Sequence, residues 1–394
     1  MAVINRIAGF EDEMKAWRRH LHAYPELGLD CHATAEFVVE RLQEFGIETI
    51  ETGIARSGVV AVIEGRGEGP VTGLRADMDA LPILESTGLE YASTVPGCMH
   101  ACGHDGHTAM LLGAAKYLAE TRNFAGRAVL IFQPAEEGPG GGRLMVEDGV
   151  LDRHGVDEVY ALHTMPGVAP GSFETAPGPL MAAVDTLHVH VEGQGGHAAY
   201  PHQTRDPVIA AAGIVQALQS VISRNLDPLR DLVVSITQIH TGSAENIVPE
   251  TAYVNGTMRS FDPDIRSMAL RRIREVVAGQ AASFGVSARV EIEQGYPPTL
   301  NDPACTEVAA AVARRISGEA AVITDREREM GAEDFSYMLN ARPGAFLFLG
   351  QGEAAPLHHA GFDFNDAVAP VGASFFARMV ERAAPVGRDV MRGR

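Results

Sequence analysis

The feature that most constrains this chain is a regular alternation of short β-branched-rich runs with longer stretches that are apolar at helical spacing. A helix is expected over 3–24, with an amphipathic stretch at 7–19, and Pro25 cannot continue it. A second helix is expected over 34–45, stopped by Gly46. Runs at 59–64 and 71–76 read as strands, joined through Gly65-Arg66-Gly67-Glu68-Gly69-Pro70 by a hairpin-like or tight connection. Met110, Leu111, Ala114 and Leu118 mark a helix over 108–121, and Val129-Leu130-Ile131-Phe132 a buried strand over 128–133. Strands and helices that alternate in this way predict an α/β fold, a mostly parallel sheet sandwiched by helices.

The texture changes after Ala176-Pro177-Gly178-Pro179. A strand at 185–192 alternates (Leu187, Val189, Val191), then come a helix at 207–224, strands at 232–240 and 252–259, a helix at 264–284 and a strand at 289–293. This β-α-β-β-α-β order is the split-βαβ, ferredoxin-like arrangement. From about residue 296 the α/β texture returns, with a helix at 303–316, a strand at 345–349 and a helix at 371–384 before Pro385. The expected organisation is one α/β domain in two parts, 1–183 and 297–394, interrupted by an inserted domain at 184–296. A chain of 394 residues is long enough for two such domains.

Charge narrows the partners. Against 32 basic side chains stand 51 acidic ones, a formal net charge of -19. Nucleic acid and anionic membrane both select a basic face, so neither is expected as a partner. Four cysteines are too few for a disulfide framework. Residues 1–10 carry no apolar segment of secretory type, and no run approaches the roughly 18 apolar residues of a membrane span. A reducing cytoplasm is the expectation.

The chemistry is concentrated in Met99-His100-Ala101-Cys102-Gly103-His104-Asp105-Gly106-His107-Thr108. Cys102 and His104 offer a thiolate and an imidazole, good donors to a borderline divalent metal. Other donors follow predicted strands, where open α/β sheets carry their sites. Asp77 and Asp79 come after the run at 71–76, able either to ligate a metal or to orient a liganding imidazole from behind. Glu136 and Glu137 come after the run at 128–133, and adjacent carboxylates point different ways, so one can bind a metal while the other acts as general acid/base. His163 follows Val159-Tyr160-Ala161-Leu162, and His358 and His359 lie near the C-terminal end. A single histidine at a strand end is more often a satisfied polar group than a ligand, but several loops offering such residues together favour a metal site, with donors enough for two ions.

Six motifs carry a resemblance: Trp17-Arg18-Arg19-His20-Leu21-His22-Ala23-Tyr24-Pro25-Glu26-Leu27-Gly28, Leu74-Arg75-Ala76-Asp77-Met78-Asp79-Ala80-Leu81-Pro82, Met99–His107, Phe132-Gln133-Pro134-Ala135-Glu136-Glu137-Gly138, Gly195-Gly196-His197-Ala198-Ala199-Tyr200-Pro201-His202 and Met330-Gly331-Ala332-Glu333-Asp334-Phe335. The chain resembles the M20 metallopeptidases, within them the hippurate hydrolases and hydrolases of auxin–amino acid conjugates. The resemblance implies a catalytic domain and an inserted lid and dimerisation domain. It implies Cys102, His104, Glu137, His163 and His358 as ligands of two divalent ions, with Cys102 bridging, and Glu136 as the general base. Asp79 would orient a ligand from behind, and His197 would reach the partner subunit's site and stabilise the oxyanion. Asn246 and Arg259 would hold substrate, the arginine as a carboxylate fork.

Two stretches depart from the family pattern. Thr164-Met165-Pro166 stands where relatives often have Asn-Trp-Pro, and His359-Ala360 where a small residue and proline are usual, so His359 competes with His358, the residue favoured on register. The implied reaction is hydrolysis of a hippurate-like N-acyl amino acid with manganese or zinc, nickel or cobalt also suiting the donors, in a homodimer or larger homo-oligomer. The alternatives are a dipeptidase or carboxypeptidase, a deacetylase of N-acetyl amino acids such as N-acetyldiaminopimelate, or a non-catalytic metal-binding protein.

Overall fold

The computed structural model describes residues 2–382, which fall into two compact units. The first comprises the described residues up to Leu180, Thr299–Glu327 and the described residues from Asp334 onward; the second comprises Met181–Pro298 and Arg328–Glu333. In chain order the first unit opens with α1 (Glu11–Ala23), α2 (His32–Glu44), β1 (Thr49–Ile54), β2 (Gly58–Glu64), β3 (Val71–Asp77), α3 (His104–Thr121), β4 (Arg127–Gln133), α4 (Gly141–Glu147) and β5 (Glu158–Pro166). The second unit holds β6 (Ala183–Glu192), α5 (Pro207–Ser220), β7 (Leu232–Thr241), β8 (Thr251–Ser260), α6 (Pro263–Ser283) and β9 (Ser287–Gln294). The first unit then resumes with α7 (Pro303–Ser317), β10 (Gly344–Gly352) and α8 (Ala369–Glu381).

In the first unit eight strands form one sheet, ordered β1-β2-β4-β3-β5-β10, then the two-residue strands Phe173–Glu174 and Val322–Ile323. Its centre is parallel: β4 with β3, β3 with β5, and β5 with β10. Helices α1, α3 and α8 pack together over a core that includes Met14, Trp17, Leu111, Leu118, Phe375 and Phe376. Every residue of α3 from His104 to Ala115 is buried, so this helix shows little amphipathic pattern. Helices α5, α6 and α7 each begin with the same dipeptide, Asp-Pro. Asp206, Asp262 and Asp302 accept backbone N–H bonds as N-caps, and the following proline fills the first helical position, where no N–H partner is required.

The second unit is a four-stranded antiparallel sheet in the order β7-β8-β6-β9. One face of it (Leu187, Val189, Val191, Val254, Met258) is buried with Ile214 and Leu218 of α5 and Ile273 and Val277 of α6. The other face carries His188, His190, Tyr253, Asn255, Thr257 and Arg259, half-exposed.

Three expectations change. The run 3–24 is two helices, Asn5–Ala8 and α1, because the first closes at Gly9. β2 and β3 form no hairpin: β4 lies between them, antiparallel to β2 and parallel to β3. Their connection, although tight, passes the end of β4, where Gly65 N–H donates to Gly126 O and Gly126 N–H to Gly67 O. The segment Pro207–Asn225 is long and apolar enough to cross a membrane by length and composition, against the expectation that no run would be. Its buried residues, among them Ala210, Ile214 and Leu218, belong to the core of the second unit. The end of the helix expected at 371–384, with Pro385, lies outside the described residues.

Gly126 stands at φ +79°, and a Cβ there would meet Pro70 O at 2.0 Å. Gly126→Ala is expected to destabilise the protein by about 2 kcal/mol or more, from left-handed strain plus the clash. A denaturant midpoint equal to the unsubstituted protein's would refute this reading of the crossover.

Candidate metal centre

The parallel order β4-β3-β5-β10 sets the C-terminal ends of four strands side by side, and each brings a donor. β4 leads into Glu136 and Glu137, β3 into Asp79, β5 carries His163, and the loop after β10 carries His358. Between β3 and β4 the chain passes through Cys102 and enters α3 at His104. The helix begins four residues before the expected position, because Gly103, at φ +91°, turns the backbone directly into it. A Cβ on Gly103 would come within 2.4 Å of Thr164 Cγ2, beside His163.

Hydrogen bonding determines which nitrogen of each imidazole is open to a metal. His104 Nδ1 donates to the Asp79 carbonyl oxygen at 2.8 Å, which leaves Nε2 buried without a hydrogen-bond partner. His163 Nδ1 donates to Thr164 O at 2.7 Å, and its Nε2 lies 3.3 Å from Cys102 Sγ. A carbonyl only accepts, so in each ring Nδ1 carries a proton and Nε2 is the nitrogen left for a metal to take. His358 Nε2 approaches Glu137 Oε1 to 2.9 Å. His359 Nδ1 instead accepts from Gly361 N at 3.0 Å. The structure thus brings His358, not His359, to Glu137. The backbone at His358 is left-handed (φ 61°) and is tied down by His358 N donating to Ala101 O at 2.8 Å.

Three overlapping groups have donor atoms within 4.8 Å of one another: Cys102-His104-His163, Cys102-Glu137-His358 and His104-Glu136-Glu137. Cys102, His104 and Glu137 each occur in two of them, the pattern expected where two ions share donors. The charges fit as well. Burial first, then the carboxylates of Glu137 and Glu136, push the Cys102 thiol well above its ordinary range. His104 is lifted to about 10: burial opposes its charged form, but Asp77 and Asp79 outweigh that. Set among carboxylates in this way, the Cys102 thiol and the His104 imidazole hold protons that a cation would displace. These residues therefore suit a borderline divalent metal in their chemistry and in their open lone pairs.

Asp79 sets the turn that carries both glutamates. Its Oδ1 accepts from Glu136 N at 2.9 Å and its Oδ2 from Glu137 N at 3.0 Å, while Ala135 takes a left-handed φ of 59°. Asp77, the other open candidate, receives Arg75 Nη1 at 2.6 Å and His107 Nδ1 at 2.6 Å. His107 Nε2 accepts from Thr164 N at 2.9 Å, so both nitrogens of this ring are engaged away from any ion. Asp334 extends the support, accepting from Arg75 Nη2 at 2.9 Å, Gln133 Nε2 at 2.7 Å and Gly142 N at 2.7 Å. Sequence reading missed Asp334, Gln133 and Arg75 as supports; their only signal was that they lie inside the family motifs.

His197, Asn246 and Arg259 stand in the second unit. His197 pairs with Ile247, and Ala198 N donates to Asn246 O at 3.0 Å, which keeps those two loops together. His197 Nδ1 accepts from Ala199 N at 3.1 Å, so the ring's proton sits on Nε2, a donor directed away from the backbone. Arg259, on the open face of the sheet, has a buried Nη1 with no hydrogen-bond partner, and burial lowers its pKa.

A buried cluster of thiol, imidazole and carboxylate at the ends of parallel strands has the donor set of a candidate metal centre. Residues 73–382 match the model of peptidase family M20/M25/M40, and the chain belongs to this family of metal-binding amidohydrolases and peptidases. It is 42% identical over 371 residues to N-acetyl-L-cysteine deacetylase of Bacillus subtilis, spanning 94% of this chain and 88% of the relative. With hippurate hydrolase of Campylobacter jejuni it shares 38% over 379 residues, 96% of this chain and 98% of the relative. A crystal structure of a dinuclear metal-binding peptidase of the M20 family from Bacillus subtilis superposes with a TM-score of 0.85 at 34% identity, covering 96% of this chain and 99% of that one.

Asp79→Asn would set an amide NH2 against one of the two backbone N–H groups it now receives. Metal affinity is expected to fall about 10- to 100-fold, as for other partners behind ligands. Titration of manganese into metal-stripped protein measures this, and unchanged affinity would refute the role.

Proposed function

We propose that the protein is a binuclear amidohydrolase that cleaves N-acyl amino acids of the hippurate type to a carboxylic acid and a free amino acid. The observation that carries the reading is the pair Glu136–Glu137 on one turn. Glu137 is directed to His358, while Glu136 is buried among the donors around His104. A non-catalytic metal site would have no use for a second carboxylate in that place. Cys102, His104, Glu137, His163 and His358 would hold the ions, with Cys102 in the shared position; manganese and zinc suit them best, and nickel or cobalt also fit. When bound, the ions supply the positive charge that acidifies a water and polarises the scissile carbonyl.

Each remaining residue has a definite task in this reaction. Glu136 takes the proton of the attacking water and returns it to the departing amine nitrogen, while Asp79 keeps its backbone fixed. His197 Nε2–H donates to the carbonyl oxygen as negative charge develops there, in the active site of a partner subunit. Arg259 pairs with the carboxylate of the amino acid, supported by its buried and unpartnered Nη1. Asn246, on the loop paired with His197, holds the substrate amide. A homodimer is supported by α5, whose sequence contains no charged side chain and whose Val208 and Ile209 are exposed. Four buried free thiols are in keeping with a reducing compartment such as the cytoplasm.

Size of the acyl group is the open choice, and the 42% identity to a deacetylase supports a second reading, removal of an acetyl group from N-acetyl amino acids. The experiment is release of free amino acid from N-benzoyl, N-acetyl and dipeptide substrates by metal-stripped protein reloaded with manganese or zinc. Turnover favouring benzoyl supports the first reading, and turnover confined to acetyl supports the second. No hydrolysis at full metal loading overturns both.

Glu136→Gln is expected to keep its metal content and lose turnover by about 10²–10⁴-fold, the usual contribution of a positioned base. His197→Ala is expected to lower kcat about 10²–10³-fold with metal content unchanged, the cost of one oxyanion donor. Wild-type kcat in either variant would remove that residue from the reaction.

A further inference from the structure

The Trp17–Gly28 motif has no part in the chemistry above, yet it places a fully buried guanidinium behind the metal centre. Arg18 is 1% exposed. Its Nε donates to Asp366 Oδ1 at 2.6 Å and its Nη1 to Asp363 Oδ1 at 3.0 Å. The same Nη1 lies 3.9 Å from Asp105 Oδ2. Asp105 follows His104 in the chain; Asp363 and Asp366 lie on the loop that begins at His358. One side chain from α1 therefore touches both segments that bring ligands from outside the strands.

Each contact is secured from its other side. Asp105 Oδ2 also receives His22 Nδ1 at 2.8 Å, one helical turn after Arg18, and Asp105 Oδ1 accepts from Gly106 N at 2.9 Å. Asp363 Oδ2 accepts the Tyr91 hydroxyl at 2.8 Å, and the Tyr91 ring lies under the Arg18 guanidinium at 4.6 Å. The His358 loop needs such anchoring: its histidine has a left-handed backbone and a side chain 53% exposed, so packing alone does not hold it.

We propose that Arg18 is a positioning residue that ties the His104 segment to the His358 loop and so sets the spacing between ligands on the two. The proposal rests on the metal-centre reading above. Arginine suits this place because its planar fork presents separate N–H groups to separate carboxylates, whereas a lysine ammonium is a point charge that cannot span them. Loss of the fork would leave the His358 loop held through these carboxylates only by Tyr91 on Asp363 and Arg19 on Asp366, and would leave His22 as the one cationic partner of Asp105.

The test titrates manganese into the metal-stripped full chain by calorimetry, and follows hydrolysis of an N-acyl amino acid against manganese concentration. Arg18→Lys is expected to weaken one of two manganese sites about 10- to 100-fold, with the activation curve shifted by the same factor and kcat largely restored at saturating metal. Asp363→Asn removes only the His358-loop arm and should give part of that shift. A lowered melting temperature in Arg18→Lys with metal affinity and activation curve unchanged would reduce Arg18 to a packing role and overturn the proposal. Should Arg18→Lys fail to fold, Asp363→Asn decides, and wild-type metal affinity in that variant overturns it. Failure of the unsubstituted protein to bind a second ion or to hydrolyse any substrate counts against the amidohydrolase reading instead, while any shift in manganese affinity still reads on Arg18.

Discussion

Negative charge buried at the ends of the central strands is the constraint on which the first unit depends. Asp77, Asp79, Asp105, Asp334 and Glu136 are all nearly inaccessible to water, and an isolated buried carboxylate is costly unless charge or hydrogen bonds compensate it. The fold assigns those partners individually. Asp77 takes Arg75 and His107, and Asp334 takes Arg75, Gln133 and a backbone N–H. Asp79 takes two backbone N–H groups, and Asp105 takes His22. The compensation stops at the innermost layer. Around Cys102 and Glu137 the remaining neighbours are donors themselves, and the thiol is driven away from its charged form. A divalent cation held by these donors would add counter-charge there, which would couple its binding to the stability of the site.

The layers differ in how they hold geometry. Candidate donors on or directly after strands inherit the rigidity of the parallel sheet. His104 owes its place to a glycine that starts a wholly buried helix, and His358 owes its place to a loop pinned from behind. Precision in the candidate donor set therefore comes from residues behind it, a division common to sites built on rigid scaffolds.

Much of this was legible in the sequence, and the reason is local. The donors follow apolar β-branched runs, and in an α/β chain such positions fall at one edge of the sheet. The β-α-β-β-α-β order of the second unit could be read from periodicity because its elements set one face against the core, with Ala288, Val290 and Ile292 of β9 only partly buried. The partners behind the ligands were not legible, because Arg18, Asp105 and Asp363 meet only in three dimensions, and a buried arginine reads in sequence as a polar helix position. The β2–β3 connection was misread for a related reason. A short Gly-rich link suggests a hairpin by local rules, but a strand supplied from fifty residues further along takes the place between them. Helix α3 was given a late start because its first turn consists of His104, Asp105 and Gly106, weak helix formers that the buried site retains.

The pairing of β5 with β10 sets an order of events in the life of the chain. Val159 is in register with Gly344, so two neighbouring strands of the central sheet are separated in sequence by the entire second unit. Loop closure over such a distance is slow and gains its reward late. During synthesis the second unit can emerge and fold while the sheet still lacks β10, and His358 arrives after that strand. Until then most of the candidate donors stand on a sheet that lacks β10 and the loop carrying His358. The chemistry proposed for the site would therefore depend on a strand that is made only after the second unit.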